Sequence, residues 1–394
     1  MTGRENAVTF SAARYLHYKD DMLYFRQITQ DIRIFSSRTT KYARGRYMHI
    51  IAVANQKGGC GKTTVAVNVA AALSKLGNET LLIDLDPQAH ATFALGYSEG
   101  PSERKTAYDI FRAYFDSTDV PFEEIVITGR ERFSFIPANM MLSAAEINLG
   151  EMNGAAAILS RTLSGSFFEK YEYVIIDSPP SFGFLTLNSM YVADRILIPL
   201  DLSYFSLNGI NGVYRVKGLL KRETGRDPSV FFVMNLYERR SNFAKQLERD
   251  AKRMLGPYLF STRIRSSVRL REAARLGKTI FEHDPGCSAA VDFRNLTNEV
   301  LAPGMENMDV VIREFLFHAP EAGSVYVLGD FNGWKKSEAN RLSKLESGYW
   351  SGHFTLSRGR YRYKFLVDNE WIRDPENTAA ETNVFGTVDS ILTV

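Results

Sequence analysis

Ten consecutive residues, NQKGGCGKTT at positions 55–64, constrain this chain more than any other stretch of it. They lie between a β-branched run, HIIAVAN, and a helical pattern that extends from Lys62 to Leu76 and closes at Gly77. The segment therefore reads as a strand-to-helix turn. Gly58, Gly59 and Gly61 let the backbone curl so that successive N–H groups point inward, and the helix that follows presents its positive end to the same spot. Such a turn cradles phosphate oxygens. Lys62 is then placed to reach the β- and γ-phosphates of a nucleotide, and Thr63 to hold Mg²⁺ through its hydroxyl. The strict spacing G-x-x-x-x-G-K-[ST] is not met, because Gln56 stands where the first glycine belongs. A second lysine, Lys57, precedes the paired glycines instead.

Downstream of this turn the runs TLLIDL, YEYVIID, RILIPL and VFFVMN alternate with helical patterns. That alternation predicts an α/β fold, a mostly parallel sheet with helices on both faces. The pattern changes after the turn-rich LAPGMENMD, residues 301–309, beyond which all three tryptophans, Trp334, Trp350 and Trp371, are found. Here FLF, SVYVLG, YWSGHFTL and RYRYKFLV are separated by DFNG, SG and DNE turn signals, as in a C-terminal antiparallel β-sandwich. Trp350, in an alternating strand, is expected in its core. The first 48 residues carry nine basic side chains against four acidic ones, with Phe25, Ile28, Ile32 and Phe35 on one helical face. A basic amphipathic helix of this kind suits DNA, membrane or a protein surface, and equally a helix packed on its own core or on a dimer partner. The expected domains are a basic helical extension at 1–48, a nucleotide-binding domain at 49–302, a linker at 303–309 and a sandwich at 310–394.

Composition narrows the function classes. With 48 basic and 45 acidic residues the net charge is only +3, so any surface for nucleic acid is local. The two cysteines, Cys60 and Cys287, are too few for a disulfide framework or a four-ligand zinc site, and free thiols in a reducing compartment are expected. No apolar run of about 18 residues and no N-terminal signal pattern occur, which points to a cytoplasmic protein without a transmembrane segment.

The KGGxGKT form of the turn is the deviant Walker A loop of the ParA/MinD ATPases, and residues 48–302 resemble the ParA branch. LLIDLDPQAHAT (81–92) resembles the family's first switch, YEYVIIDSPPS (171–181) its Walker B strand and second switch, and RILIPLDLSYFSLNGINGV and VMNLYERRSNFAKQLE the segments that follow. The resemblance implies a slow, partner-stimulated ATPase that forms a homodimer around ATP. Lys57 is then the lysine that crosses to the partner subunit's phosphates, Lys62 the lysine that binds within its own subunit, and Asp86 the residue that orients the attacking water. Gly58, Gly59, Cys60, Gly61, Lys62, Thr63 and Thr64 would line the nucleotide, Asn235 would lie near adenine, and Thr63, Asp84 and Asp177 would serve Mg²⁺. The family commonly has Ile-Pro-Arg-Asn-Val-Arg-Leu where this chain has IRSSVRL (264–270), so Arg265 replaces the proline and Ser266 the next arginine.

Basic residues recur at Arg215, Lys217, Lys221 and Arg222 and again at Arg263, Arg265, Arg269, Arg271, Arg275 and Lys278. Such runs are usually a solvated charged face. Dimerisation would double any stripe they form, and with the ParA resemblance this implies nonspecific DNA binding and a nucleoid-associated protein. A MinD-like membrane role fits less well, since a β-domain occupies the end where those relatives carry an amphipathic helix. An iron–sulfur role is disfavoured because Cys60 sits inside the loop and Cys287 stands apart.

Residues 310–394 resemble the glycogen-binding module of AMP-activated kinase beta subunits and other family-48 carbohydrate-binding modules, through VYVLGDFNGW, RYRYKFLVDNEWIRDP and FGTVDSILTV. The resemblance implies a sugar-stacking platform of Trp334 and Trp371, with Lys364, Thr387 and Asp389 available to hydroxyls. Aromatic faces accept the apolar faces of sugars. Glycogen binders of the family typically carry asparagine where Asp389 stands, and many relatives dock proteins, so both an α-glucan and a protein adaptor remain open. The combined expectation is a ParA-like ATPase that binds DNA nonspecifically and partitions or positions a cargo when a partner triggers hydrolysis. The alternative is a DNA-independent switch in which nucleotide gates polysaccharide or protein binding. A metabolic ligase of the same superfamily lacks a substrate-side signature.

Overall fold

The structure is a computed structural model that describes residues 47–97, 104–130, 132–149, 154–181, 183–201, 208–238, 241–302, 310–337, 340–344, 348–383 and 385–394. The expected basic helix within residues 1–48 and the linker at 303–309 lie outside them, apart from residues 47 and 48. The chain divides into two compact units, 1–238 with 260–302 and 239–259 with 303–394.

The first unit is built on an eight-stranded sheet of β1 (His49–Val53), β2 (Thr80–Asp84), β3 (Ile127–Arg130), β4 (Phe133–Ile136), β5 (Tyr173–Asp177), β6 (Arg195–Leu200), β7 (Ser229–Tyr237) and β8 (Leu259–Arg265). Their order is β3-β4-β2-β5-β1-β6-β7-β8. The pairings from β4 to β7 are parallel, and edge strand β3 runs antiparallel to β4. β1, β2, β5 and β6 are buried along almost their whole length, as parallel strands covered on both faces must be. The fold is therefore the mostly parallel P-loop architecture that the alternating pattern predicts. β3 and β4 escape a pattern reading, since ITGR and FSFI are too short to register a period.

Helix Lys62–Lys75 is the central packing element. Its sequence KTTVAVNVAAALSK is rich in alanine and buried nearly all round, with Val65, Val67, Val69 and Leu73 each contributing roughly 1.5–3 kcal/mol on burial. Leu76 and Gly77 end it, Gly77 adopting φ 95° while Asn78 N–H returns to the Leu73 carbonyl at 3.2 Å.

A close contact of two glycines fixes the far side of this unit. Gly96 (φ +84°) and Gly277 (φ +66°) meet so tightly that a Cβ on Gly277 would lie 2.4 Å from Gly96 Cα. Arg130 staples the pair, its Nη2 donating to Leu95 O at 2.8 Å and to Gly277 O at 2.9 Å.

The second unit contains the antiparallel sandwich. One sheet has the order β10-β13-β16-β15, with β14 paired to β13, and the other β11-β12-β9. The strands are β9 (Val310–His318), β10 (Val325–Gly329), β11 (Ser343–Lys344), β12 (Tyr349–Ser357), β13 (Arg360–Val367), β14 (Glu370–Ile372), β15 (Ala380–Thr382) and β16 (Val388–Thr393). Val325, Val327, Phe315, Phe365 and Trp350 fill the core, and the Trp350 indole donates to Ala319 O at 2.8 Å. Among the described residues, no helix is long and apolar enough to cross a membrane.

Gly277→Ala is expected to lower unfolding free energy by about 2–3 kcal/mol through both the clash and the positive φ. Gly77→Ala, with nothing within 4 Å of its Cβ, should cost only the backbone strain of about 1–2 kcal/mol. Urea denaturation of the two variants checks this contrast.

Candidate functional site

The carboxyl ends of β1, β2, β5, β6 and β7 converge on one rim of the sheet, where doubly wound folds bind ligands. In register, Asp177 of β5 lies opposite both Val53 of β1 and Asp84 of β2. The loop after β1 turns through Gly59 (φ +78°) and Gly61 (φ +85°), and Gly61 starts helix Lys62–Lys75 with no side-chain cap. Its first-turn N–H groups are thus aimed into the loop. A Cβ on Gly61 would sit 2.2 Å from Asn235 Nδ2, because the Asn235 amide braces the loop from below through Cys60 O at 2.7 Å. Asn235 is fully buried there, so the structure places it as a support of the turn.

Both lysines are anchored. Lys62 Nζ donates to Lys57 O at 3.1 Å, and Lys57 Nζ pairs with Asp201 at 2.8 Å and 3.0 Å to its two oxygens. Cys60 Sγ donates to the same Lys57 carbonyl at 3.3 Å, and burial pushes this thiol above its ordinary range. Asp201 was not singled out from sequence. Its position at the carboxyl end of β6, matching Asp177 on β5, is the signal that could have found it.

The carboxylates differ sharply in how they are satisfied. Asp177 is wholly buried, and among the described residues neither of its oxygens has a hydrogen-bond partner. Burial, reinforced by the charge of Asp84, holds its carboxyl well above the usual range against the weaker pull of the nearby Thr63 hydroxyl and Lys62 ammonium. An orphaned carboxyl that a cation would keep ionised, beside a threonine hydroxyl and a glycine-rich bend, is a donor set that fits a hard divalent cation and its phosphates. Asp84, by contrast, spends its oxygens on Asp86 N at 3.1 Å, Thr92 N at 2.9 Å and Thr92 Oγ1 at 2.8 Å. Asp86 lines the cavity in front of the loop, which measures about 560 Å³ and is also walled by Thr63, Gln88, Phe93 and Leu270. That volume suits a nucleotide. Glu146, also unforeseen, lies against the start of helix Phe184–Val192, where burial raises its carboxyl against the weaker pull of the Leu185 and Phe184 N–H groups. A Cβ on Gly183 would meet Glu146 Oε1 at 1.6 Å, so that glycine makes room for the carboxylate.

A second constellation lies on the sandwich. Trp371 sits on β14 opposite Leu366, and Trp334 packs over Tyr326, Leu328 and Leu366 on the same sheet face. The two indoles lie 5.9 Å apart at 54°, with Trp371 52% exposed. Trp334 holds a left-handed φ of 57°, strain that the Trp334 Nε1 bond to Asp330 Oδ1 at 3.0 Å helps fix. Beside them Lys364 Nζ reaches Thr387 Oγ1 at 2.7 Å and Asp389 Oδ1 at 3.0 Å. Asn383 Nδ2 donates to both Thr387 Oγ1 at 2.7 Å and Asp389 Oδ1 at 2.8 Å, so both of its amide hydrogens are spent within the cluster. Phe385, on the Asn383–Thr387 turn, is 86% exposed, and an isolated aromatic in an FG turn was its only signal in the sequence.

Comparison with known proteins gives relatives for both parts of the chain. Over 256 residues, 65% of this chain and 99% of the other, the sequence is 36% identical to the sporulation initiation inhibitor protein Soj of Bacillus subtilis. It is 33% identical to the chromosome partitioning protein ParA of Caulobacter vibrioides over 65% of this chain and 94% of that protein. The chain belongs to the ParA/Soj family of ATPases. An AAA domain model matches residues 48–227, and the model for the glycogen recognition site of AMP-activated protein kinase matches residues 314–394. Among solved structures, cobyrinic acid a,c-diamide synthase from Mycobacterium smegmatis, with bound ATP analog and magnesium, superposes with a TM-score of 0.55 at 26% identity, covering 64% of this chain and 94% of that one. Cyanothece McdA shares the fold, with a TM-score of 0.56 at 24% identity over 65% of this chain.

For a ParA-family ATPase the basic residues matter next, and the structure sorts them. Lys217 and Lys221 both bind Asp227, at 3.0 Å and 2.6 Å. Arg265 is held by Asp292, with Nε at 2.8 Å and Nη2 at 2.6 Å, and Arg269 by Glu272 at 2.9 Å. Arg263 lies over the Tyr237 ring. Arg271 and Arg275, one turn apart on helix Val268–Arg275, are exposed and have no acidic partner among the described residues. The side chain of Arg215 lies outside what the structure describes.

The buried pair in the sandwich gives a direct test. Asp389→Ala leaves the Lys364 ammonium buried without its counter-charge and should destabilise the module by about 3–5 kcal/mol, whereas Lys364→Met with Asp389→Leu should cost far less. Urea unfolding followed by tryptophan fluorescence measures both.

Proposed function

We propose that this ParA-family ATPase dimerises around ATP, binds DNA nonspecifically while dimeric, and positions an α-glucan or a glucan-bearing assembly through its C-terminal module. The observation that carries the reading is the double-lysine loop facing the orphaned Asp177 carboxylate. Backbone N–H groups of the loop and the Lys62 ammonium bind the β- and γ-phosphate oxygens. Asp86 orients a water in line with the γ-phosphorus, where the new P–O bond forms as the bond to the departing ADP oxygen breaks. Thr63 and Asp177 would hold magnesium, which when bound screens the charge between the phosphates.

Lys57 completes the site in a neighbouring copy. To reach that copy's phosphates it must leave Asp201, so the ion pair within the chain and the contact between chains compete for one ammonium. Dimerisation also places two copies of helix Val268–Arg275 on one particle, which supports phosphate-backbone binding by Arg271 and Arg275. The Trp334 and Trp371 pair, with Phe385 nearby in sequence to Thr387, supports a sugar ligand for the module. An adaptor protein is the other occupant, and it is distinguished by the test below.

The deciding experiment is capture of the purified protein on amylose and on DNA, each with ATP and with ADP. Amylose should retain the protein, and Trp334→Ala with Trp371→Ala should abolish retention while sparing ATPase activity. DNA should retain it with ATP only. Arg271→Ala with Arg275→Ala should reduce the log–log salt slope by about one for each phosphate that is no longer neutralised. Amylose retention that survives the double tryptophan change, or none in the unaltered protein, removes the glucan assignment and leaves the adaptor. DNA retention that ignores the nucleotide removes the coupling.

A further inference from the structure

The segment that carries Asp86 leaves β2 and enters helix His90–Ala94, whose N-cap is Ala89. Ala89 adopts a left-handed φ of 53° and no side chain at that position caps the helix. An alanine cannot do so. The missing cap comes from the end of β2, where Asp84 Oδ2 accepts from the N–H of Thr92 at 2.9 Å and from its hydroxyl at 2.8 Å. The other Asp84 oxygen accepts from the N–H of Asp86 itself at 3.1 Å. Thr92 Oγ1 in turn accepts from Ala138 N at 2.9 Å, so this hydroxyl donates to one loop and accepts from another. Asp84, Thr92 and Ala138 are all buried.

Ala138 follows β4 and leads into helix Leu142–Leu149, which carries Glu146 against Gly183 at the start of helix Phe184–Val192. The clasp therefore joins the segment bearing Asp86 to the segment that lies against the chain beyond Asp177. Its bonds give the Asp84 carboxylate three donors from the protein, one on Oδ1 and two on Oδ2.

We propose that Thr92 is a positioning residue for ATP hydrolysis, holding Asp84 in a buried clasp that sets the placement of Asp86, and that Asp84 acts as this cap and not as a magnesium ligand. The inference rests on the reading above that Asp86 orients the attacking water. Without the Thr92 hydroxyl, Ala138 N–H loses its acceptor and Asp84 Oδ2 one of its donors, both in a site closed to water. The Asp86 loop is then held by two fewer bonds while the phosphate loop keeps all of its own.

Steady-state ATPase kinetics on the full chain, as a function of ATP and of Mg²⁺, test this with four variants. Thr92→Val should lower kcat by on the order of tenfold or more, with KM for ATP and the half-saturating Mg²⁺ unchanged. Thr92→Ser keeps both hydroxyl bonds and should restore kcat to near that of the unaltered protein. Asp84→Asn should lower kcat without raising the Mg²⁺ requirement, and this holds the proposal open to test even if Thr92→Val does not fold. Asp86→Ala reports on the underlying reading. If it retains kcat, Asp86 does not orient the water, whatever Thr92 does. If Asp86→Ala is inactive while Thr92→Val turns over normally, or if Asp84→Asn raises the Mg²⁺ needed, the clasp assignment is overturned.

Discussion

A carboxylate sealed at the end of a central strand, with neither oxygen bonded among the described residues, is expensive, and the arrangement around Asp177 is organised by that cost. The glycine bend, the Lys62 ammonium and the Thr63 hydroxyl lie on the side where a cation and phosphates would settle the charge. Parallel β1, β2 and β5 bring these groups to one rim because their register is set by continuous burial on both faces. Ligand binding and the sheet are thus one problem in charge and packing. The second lysine adds a further demand. Lys57 is bound to Asp201 within the chain, so any role across a subunit boundary draws on an existing ion pair.

The nucleotide site was legible in sequence wherever its chemistry is carried by local spacing. NQKGGCGKTT between a strand and a helix fixes the bend, and the runs ending in Asp84 and Asp177 place two acids at strand ends. What spacing does not encode is which donors an acid finds. Asp84 and Asp177 look alike as strand-terminal aspartates, yet one accepts from Thr92 and Asp86 and the other has no such bond among the described residues. Glu146 and Asp201 lie far along the chain from the groups they meet, and only the folded topology brings them there. The basic runs show the same limit, for Lys217 and Lys221 are separated from Arg271 and Arg275 by the position of a single acid, Asp227, that sequence pattern does not weigh.

The sandwich was legible for a different reason. Alternating strands, turn signals and tryptophans in a short C-terminal segment specify an antiparallel fold and an aromatic surface together, and β13 displays this by turning Tyr363 and Phe365 into the core while Lys364 and Leu366 lie on its other face, Leu366 beneath Trp334. Asn383 was not anticipated, although it ties Thr387 to Asp389 by donating to both.

The central claim is that Lys57 leaves Asp201 to bind the triphosphate of a neighbouring copy. Sedimentation velocity in Mg²⁺-ATP, comparing Asp86→Ala with the same protein also carrying Lys57→Ala, tests it most directly. The account predicts a dimer for the first and a monomer that still binds nucleotide for the second. A dimer of unchanged affinity in the absence of Lys57 would contradict it.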